Sequence, residues 1–429
     1  MSTSAIATAP ATPGEPAASP SSSGAFAALG VREFRFFWIG MVVSLVGTML
    51  HQTALNWLVW RLTHSALLLG LVGFAGNLPV LLFGLFAGTL IDRYDRRQLV
   101  MLAQIADMLL AFGCAWLTWA GIIRIEHILA IAFAGGLLHV VEVPARQTFL
   151  MDLVGRRHLM SAIALNSAAF NAARVFGPAL AAVFLATISE AGCFFLNGLS
   201  FLALIAALAA IRPASGAAAH ASRVAPEGGA LDGLRFIAAH PGMRNLLLMV
   251  VTANLFAVPY HQMLPMFIEH ELHGGARELG VFSACFGLGA MTGGLFAASR
   301  DRTGLSPRLA GRAAQFFCGA LFLMACFPGH LLGMALALVM GLAMVTQMAT
   351  TNNYLQCHAP DGLRGRIVAC YTTTVIGCFP IGCLLMGFLA DRLGVRAALG
   401  LGGLIGLTNA LLMFPRLSDS PGQKGCLRR

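Results

Sequence analysis

Twelve stretches of this sequence carry almost no Asp, Glu, Lys or Arg, and most are long enough to cross the hydrocarbon core of a membrane. A transmembrane helix needs about 20 predominantly apolar residues. Only 11% of the residues are charged, against about 25% in soluble domains. The sequence therefore predicts an all-α membrane protein with twelve transmembrane helices. The predicted spans lie at about 36–60, 62–91, 98–123, 128–145, 159–189, 191–211, 245–268, 279–299, 313–327, 330–357, 367–390 and 397–415.

The spans fall into two groups of six, which predicts two pseudo-symmetric six-helix bundles at 31–212 and 244–416. Residues 1–30 are mostly Ala, Pro, Ser, Thr and Gly, a composition typical of disordered segments. A linker at 213–243 joins the bundles, and residues 417–429 form a second tail. The apolar residues of the linker predict a short helix that lies on the membrane surface. These residues are Leu231, Leu234, Phe236 and Ile237.

Basic residues are distributed unevenly between the two sides of the predicted membrane. Of the 28 Lys and Arg residues, 22 fall on the side that carries both termini and 5 on the other, with Arg174 inside a span. Positively charged loops stay in the cytoplasm. We therefore expect both termini and the linker to be cytoplasmic. The same rule accounts for the net charge of +10, which does not indicate a nucleic-acid partner.

The segment after the second span carries a known pattern. It reads Gly88-Thr-Leu-Ile-Asp92-Arg93-Tyr-Asp95-Arg96-Arg97. It resembles the G-x-L-x-D-R-x-G-R-R signature of the major facilitator superfamily, which also stands between spans 2 and 3, although Asp95 replaces the usual Gly. We expect Gly88 to permit close helix contact and Asp92 to cap the N-terminus of a facing helix. The arginines of this gating motif are expected to hold neighbouring acids.

Span 5 contains Gly177-Pro178, which resembles the motif that marks exporters of this superfamily. Gly-Pro removes a backbone hydrogen bond and bends a helix. Pro380 in span 11 lies 202 residues after Pro178, as a duplicated six-helix unit would place it. The run 144–198 is similar to the enterobactin-exporter and macrolide-efflux branch, and the resemblance as a whole covers about 34–415.

Ionisable side chains at membrane depth are costly and mark transport pathways. The proton-coupling candidates are Asp107, Glu142 and Arg174. Asp107 is the deepest predicted carboxylate and is the leading candidate for a proton site. Glu142 is predicted near the end of span 4, where it would pair either with Arg174 or with one of the loop arginines, Arg96 and Arg97.

The family resemblance implies that spans 1, 4, 7 and 10 line a substrate cavity. The candidates to face substrate are His51, Gln52, His139, Asn171, His261, Gln262 and Gln347. For each amide the alternative role is an interhelical hydrogen bond, and for each histidine it is packing inside the bundle.

The leading interpretation is a proton-coupled exporter of small amphipathic molecules, such as drugs, siderophores or metabolites, that works by alternating access. The alternatives are a specific small-molecule importer and a non-transporting membrane receptor or assembly partner. No phosphate-binding loop, nucleophile motif or metal-ligand cluster is present, so we expect no enzyme activity, cofactor or metal. The resemblance implies a monomer in the lipid bilayer of a bacterial-type inner membrane, driven by protons.

Overall fold

The computed structural model describes residues 26–84, 93–211, 230–300, 306–360 and 362–417. In these ranges twelve helices are long and apolar enough to span a membrane, so the predicted fold class is confirmed. The first six are α1 (Arg32–Thr63), α2 (Ala66–Phe83), α3 (Arg96–Trp119), α4 (Ile125–Gly155), α5 (Arg157–Thr187) and α6 (Ser189–Ala210). The second six are α7 (Pro241–Leu272), α8 (Ala276–Arg300), α9 (Pro307–Cys326), α10 (His330–His358), α11 (Arg364–Leu393) and α12 (Val395–Met413).

Polar caps and tight turns separate successive helices. Ser65 and Ser306 accept hydrogen bonds from the first turns of α2 and α9, at 3.3 and 3.2 Å, and Asp95 caps α3 at 2.8 Å. His64 and His273 end α1 and α7 in the left-handed conformation, with φ of 45° and 52°. These turns reverse the chain within a few residues, so consecutive helices run antiparallel.

Helix α4 continues to Gly155, beyond its predicted end at residue 145. Arg146 does not end the helix, because its guanidinium pairs with Glu142 one turn earlier, at 3.2 Å. A paired charge is far less costly inside a membrane than a free one. The helix ends at Gly155, whose φ of 64° is non-helical, and α5 begins after it. Glu142 therefore stands near the middle of a 31-residue helix, whereas the shorter predicted span placed it near the end.

Helix α7 is interrupted in its middle by a π-helical turn, Ala253–Ala257. Pro259 has no N–H to give to the carbonyl of Leu255, and its ring pushes that carbonyl away. The turn widens as a result, and the N–H of Val258 donates to the carbonyl of Ala253, five residues back, at 2.8 Å. Single π-helical turns inside α-helices are frequent at functional sites.

The two six-helix halves meet along two helix pairs, α2 with α11 and α5 with α8. Glycines permit both contacts. Gly70 lies against the carbonyl of Cys383, and Gly287 lies against the carbonyl of Arg174, so closely that a Cβ at either glycine would collide with that carbonyl. Small residues at helix crossings let backbones approach and gain dispersion energy. The halves are thus held together along the sides of the space between them.

The halves also touch at one end of the molecule, the end with the α1–α2, α7–α8 and α11–α12 turns. There α7 contacts both α1 and α2. At the opposite end, α4 and α10 share no extensive contact in the described ranges. We call the first the closed end and the second, which carries both chain termini, the terminal end.

The structure adds detail to two predictions about the polar segments. Ala27–Gly30, predicted to be disordered, form a 3-10 helix, because Ala28 is buried and its N–H donates to Ser161 Oγ of α5 at 3.1 Å. The linker helix (Ala230–Ala239) packs part of its apolar face on protein, since Ile237 is buried in a core shared with α7, α10 and α11. The rest of the predicted tails and linker, at 1–25, 212–229 and 418–429, lies outside the described residues.

Candidate functional site

A cavity of about 220 Å³ lies between the halves, about midway along the helices. Its polar lining is Asn77 of α2, Asn254 of the π turn in α7, and Gln347 of α10. Its apolar lining comes from α7, α10 and α11 and includes Met344 and Phe379. Because α2 belongs to one half and the other three helices to the second half, both halves form the wall.

Of the seven residues predicted to face substrate, Gln347 lines this cavity and the other six do not. His51 packs against Phe194 of α6, with 4.6 Å between ring centroids. His261 packs edge-on against Phe286 of α8, with 4.5 Å between centroids. Both histidines therefore pack against aromatic rings of neighbouring helices, the alternative role that the sequence analysis left open.

Three of the other predicted cavity residues hydrogen-bond or pack elsewhere. Gln52 donates to Asn56 Oδ1 one turn along α1, at 3.4 Å. Asn171 donates to a carbonyl one turn earlier in α5, at 2.9 Å. Gln262 lies against Gly73 of α2 and is 6% exposed. Its contact crosses from one half to the other without reaching the cavity.

Asp107, His139 and Glu142 form an ionisable cluster in the first half. Asp107 of α3 lies within electrostatic reach of His139 and Glu142 of α4, and it makes no hydrogen bond in the described part of the chain. Glu142 is 3% exposed and accepts a hydrogen bond from Gln104 Nε2 at 3.4 Å. Gln104 Oε1 accepts in turn from Ser44 of α1, at 3.2 Å. The cluster is separate from the cavity, which has no ionisable residue in its described lining.

Arg174 does not pair with Glu142, contrary to one expectation. Its guanidinium lies over the ring of Phe170, 4.6 Å from the centroid, a cation–π contact. Glu142 pairs with Arg146, on its own helix, and not with either of the loop arginines predicted as alternatives. Within the described residues Arg174 forms no ion pair, and the Phe170 ring provides a favourable electrostatic contact for its charge.

The arginines of the predicted gating motif bind within the first half. Arg96 pairs with Asp152 at 2.8 Å, and Arg97 donates to a carbonyl at the C-terminus of α6 at 2.7 Å. Arg93 is exposed. The residues of the motif that lie outside the described part of the chain are Gly88 and Asp92.

The Gly177-Pro178 pair marks the crossing of α5 with α1. A Cβ at Gly177 would collide with Met49 of α1. The helix remains helical through Pro178, since the non-helical dihedrals in this stretch are those of Gly155. The pair therefore brings two helices of the first half into close contact.

Two contacts that the sequence analysis missed hold the closed end together. Asp391, at the end of α11, accepts hydrogen bonds from the Ser65 hydroxyl at 2.8 Å and from the Ala66 N–H at 2.6 Å. The following N–H of α2 also donates to it, at 3.1 Å. The carboxylate thus caps a helix of the opposite half. The indole N–H of Trp60 in α1 donates to the Glu269 carboxylate of α7, again across the halves.

A sequence signal for Asp391 is present. Residues Gly387-Phe-Leu-Ala-Asp391-Arg392-Leu-Gly394 repeat the G-x-L-x-D-R-x-G spacing of the motif that begins at Gly88. This copy stands at the opposite end of the molecule, between α11 and α12.

Comparison with known proteins extends these observations. The sequence profile of a family described as transmembrane secretion effector matches residues 23–420. The multidrug efflux pump Tap of Mycolicibacterium fortuitum is 28% identical over 382 residues, which cover 85% of this chain and 91% of that protein. The staphyloferrin A transporter of Staphylococcus aureus is 25% identical over 377 residues, which cover 84% of this chain and 90% of that protein.

A solved structure shares the architecture. A bacterial homolog of the human lysosomal transporter Spinster, in an inward-facing and unoccupied conformation, matches with a TM-score of 0.71 and 12% identity. The match covers 93% of this chain and 100% of that one. At this identity the likeness shows the fold alone.

Proposed function

Because the chain belongs to the transmembrane secretion effector family of major facilitator superfamily transporters, we propose that it is a proton-coupled exporter of small amphipathic molecules. The observation that carries the proposal is the mid-depth cavity whose wall comes from both halves, beneath a closed end. In alternating access, two halves rock about a site near the membrane midplane. Rocking that separates α1 from α7 would open this cavity toward the end that is now closed.

Two features support proton coupling as the energy source. The chain has no nucleotide-binding motif, so an ion gradient or the substrate's own gradient must drive transport. The Asp107, His139 and Glu142 cluster supplies titratable groups at membrane depth, outside the cavity. A single chain forms both the cavity and the cluster, which supports a functional monomer.

Export of drugs, siderophores or metabolites is tested by comparing cells that do and do not produce the protein. Efflux of dyes, antibiotics and siderophores is measured with and without an uncoupler of the proton gradient. We expect faster efflux of at least one amphipathic compound, and we expect the uncoupler to abolish the difference. Accumulation instead of efflux would identify an importer. If efflux of every compound tested is the same with and without the protein, and vesicles show no transport, the receptor alternative is favoured.

We propose that both termini and the linker face the cytoplasm of a bacterial inner membrane, so that the structure is inward-facing. In a parent chain without reactive cysteines, Cys placed at Ser215, Ser222 or Ser418 should resist impermeant thiol reagents in intact cells. Cys at Ile122, exposed in the turn at the closed end, should react. The reason is the excess of Lys and Arg on the terminal side. The reverse labelling pattern would contradict this orientation.

A further inference from the structure

The cavity between the halves presents three carboxamides and, in its described lining, no charged or titratable side chain. Asn254 and Gln347 are buried, with 7% and 4% of their surfaces exposed. Burying polar groups is unfavourable unless hydrogen bonds compensate. The hydrogen bonds that these amides already make, and those left open, therefore determine which polar groups a ligand needs in this cavity.

Two of the amides have a fixed orientation. Asn77 Nδ2 donates to the Gly73 carbonyl and Asn254 Nδ2 donates to the Val250 carbonyl, each at 2.9 Å. Because a carbonyl only accepts, the NH₂ group of each amide must be the atom that faces it. The Oδ1 atoms of Asn77 and Asn254 are then left as acceptors at the cavity wall. They match a ligand that donates hydrogen bonds.

Gln347 has no hydrogen-bond partner in the described part of the chain, although it lines the cavity and is 96% buried. Its amide atoms are not sealed from water, because they lie at the cavity wall, so a bound molecule can take the place of water there. Its Nε2 and Oε1 offer both a donor and an acceptor. Gln347 therefore adapts to either polar group of a ligand, whereas the Oδ1 atoms of Asn77 and Asn254 can only accept.

The size and the remaining lining indicate a ring system. Met344, Met348 and Phe379 supply a polarizable and aromatic wall. An engineered cavity of about 150 Å³ binds benzene, so 220 Å³ is enough for a group of one or two fused rings. An anion would lose its hydration here without meeting a cation, which is strongly unfavourable.

We propose that Asn77, Asn254 and Gln347 form a substrate subsite for an uncharged ring system that carries a hydroxyl or N–H donor. This subsite excludes polycarboxylates. The proposal rests on the exporter function proposed above and restricts its substrates to uncharged compounds. Asn77 lies on the first half and the other two amides on the second. Rocking of the halves would pull Asn77 away from the other two, so the ligand is held tightly only while the closed end remains closed.

The test measures binding to the purified full chain in nanodiscs, without transport. The probes are 2-naphthol, its methyl ether 2-methoxynaphthalene, naphthalene-2-sulfonate and citrate. We expect 2-naphthol to bind, the methyl ether to bind about tenfold more weakly because it lacks the donor, and the two anions not to bind. Gln347→Met and Asn254→Leu should each raise the Kd for 2-naphthol about tenfold.

Gln315→Met is the matched control. Gln315 of α9 donates to the Ala410 carbonyl at 3.4 Å and lies outside the cavity, so its replacement should leave the Kd unchanged. Equal affinity for 2-naphthol and its methyl ether, or tighter binding of either anion than of 2-naphthol, overturns the subsite. This comparison uses the unmodified chain, so it does not depend on whether the variants fold. Efflux from cells without 2-naphthol binding rejects the subsite alone. Amide-dependent binding without efflux or uptake of any compound rejects the exporter function alone.

Discussion

The Asp107→Asn variant is expected to lose efflux against a substrate gradient, to the level of empty vesicles, while exchange down a gradient continues. A coupling group must take up a proton on one side of the membrane and release it on the other, and a carboxamide cannot titrate. Asp107 lies beside His139 and Glu142 and has no hydrogen-bond partner in the described ranges, so no hydrogen bond holds its carboxyl group in one protonation state. The measurement is uptake into inverted proteoliposomes with and without an imposed proton gradient.

Glu142→Gln serves as the comparison for this experiment. Glu142 is held by Arg146 and Gln104, an arrangement that suits a structural role better than reversible protonation. We expect its replacement to lower the amount of folded protein, because it leaves the partly buried guanidinium of Arg146 unpaired. Glu126→Gln, at an exposed position at the start of α4, should change neither gradient-driven efflux nor the amount of folded protein. If Asp107→Asn still pumps and folded Glu142→Gln does not, Glu142 is the coupling acid.

Charge-free runs predicted the twelve helices because the membrane excludes free charge, and no finer information was needed. The same rule failed at Arg146. Its partner Glu142 stands four residues earlier on the same helix face, which neutralises both charges and lets α4 continue. The rule also failed at Ala28, where one small residue fits against α5 and orders a segment of disordered composition. Both failures depend on a specific partner that composition does not reveal.

The faces of the helices were harder to predict than their positions. In a soluble helix the polar face identifies the outer side, but membrane helices are apolar both toward lipid and toward their neighbours. Placing a residue on span 1 or span 7 therefore did not tell whether it faces the cavity. His51 of α1 faces α6 instead. Asn254 reaches the cavity through a π turn, for which Pro259 was the only sequence signal.

The ionisable cluster and most of the cavity amides lie in different halves of the molecule. The ionisable cluster of Asp107, His139 and Glu142 lies on α3 and α4 of the first half, while two of the three cavity amides lie on α7 and α10 of the second. If the protein works as we propose, coupling between them passes through the contacts that hold the halves together. The contacts at the closed end would then break and reform in each transport cycle, so their strength would set the balance between the two states.

Asp391→Asn is expected to shift this balance toward the state in which the closed end is open. The Asp391 carboxylate accepts two N–H groups and one hydroxyl from the start of α2, and it also interacts with the helix dipole. Because Asp391 is exposed to solvent, the loss is at the low end of such contacts, about 1 kcal/mol, which changes a two-state population about fivefold. Transport should slow while the amount of folded protein stays unchanged.

The population is measured as the distance between spin labels at Ile122 and Leu331, exposed residues at the closed end of opposite halves. Glu271→Gln is the control, because Glu271 lies at the same end but pairs with Arg396 of its own half, at 3.9 Å. Trp60→Phe removes the indole donor to Glu269 and should add its effect to that of Asp391→Asn, since the two contacts join different helix pairs. An unchanged distance distribution in Asp391→Asn, or an equal shift in Glu271→Gln, would show that capping of α2 by Asp391 does not hold the closed end shut.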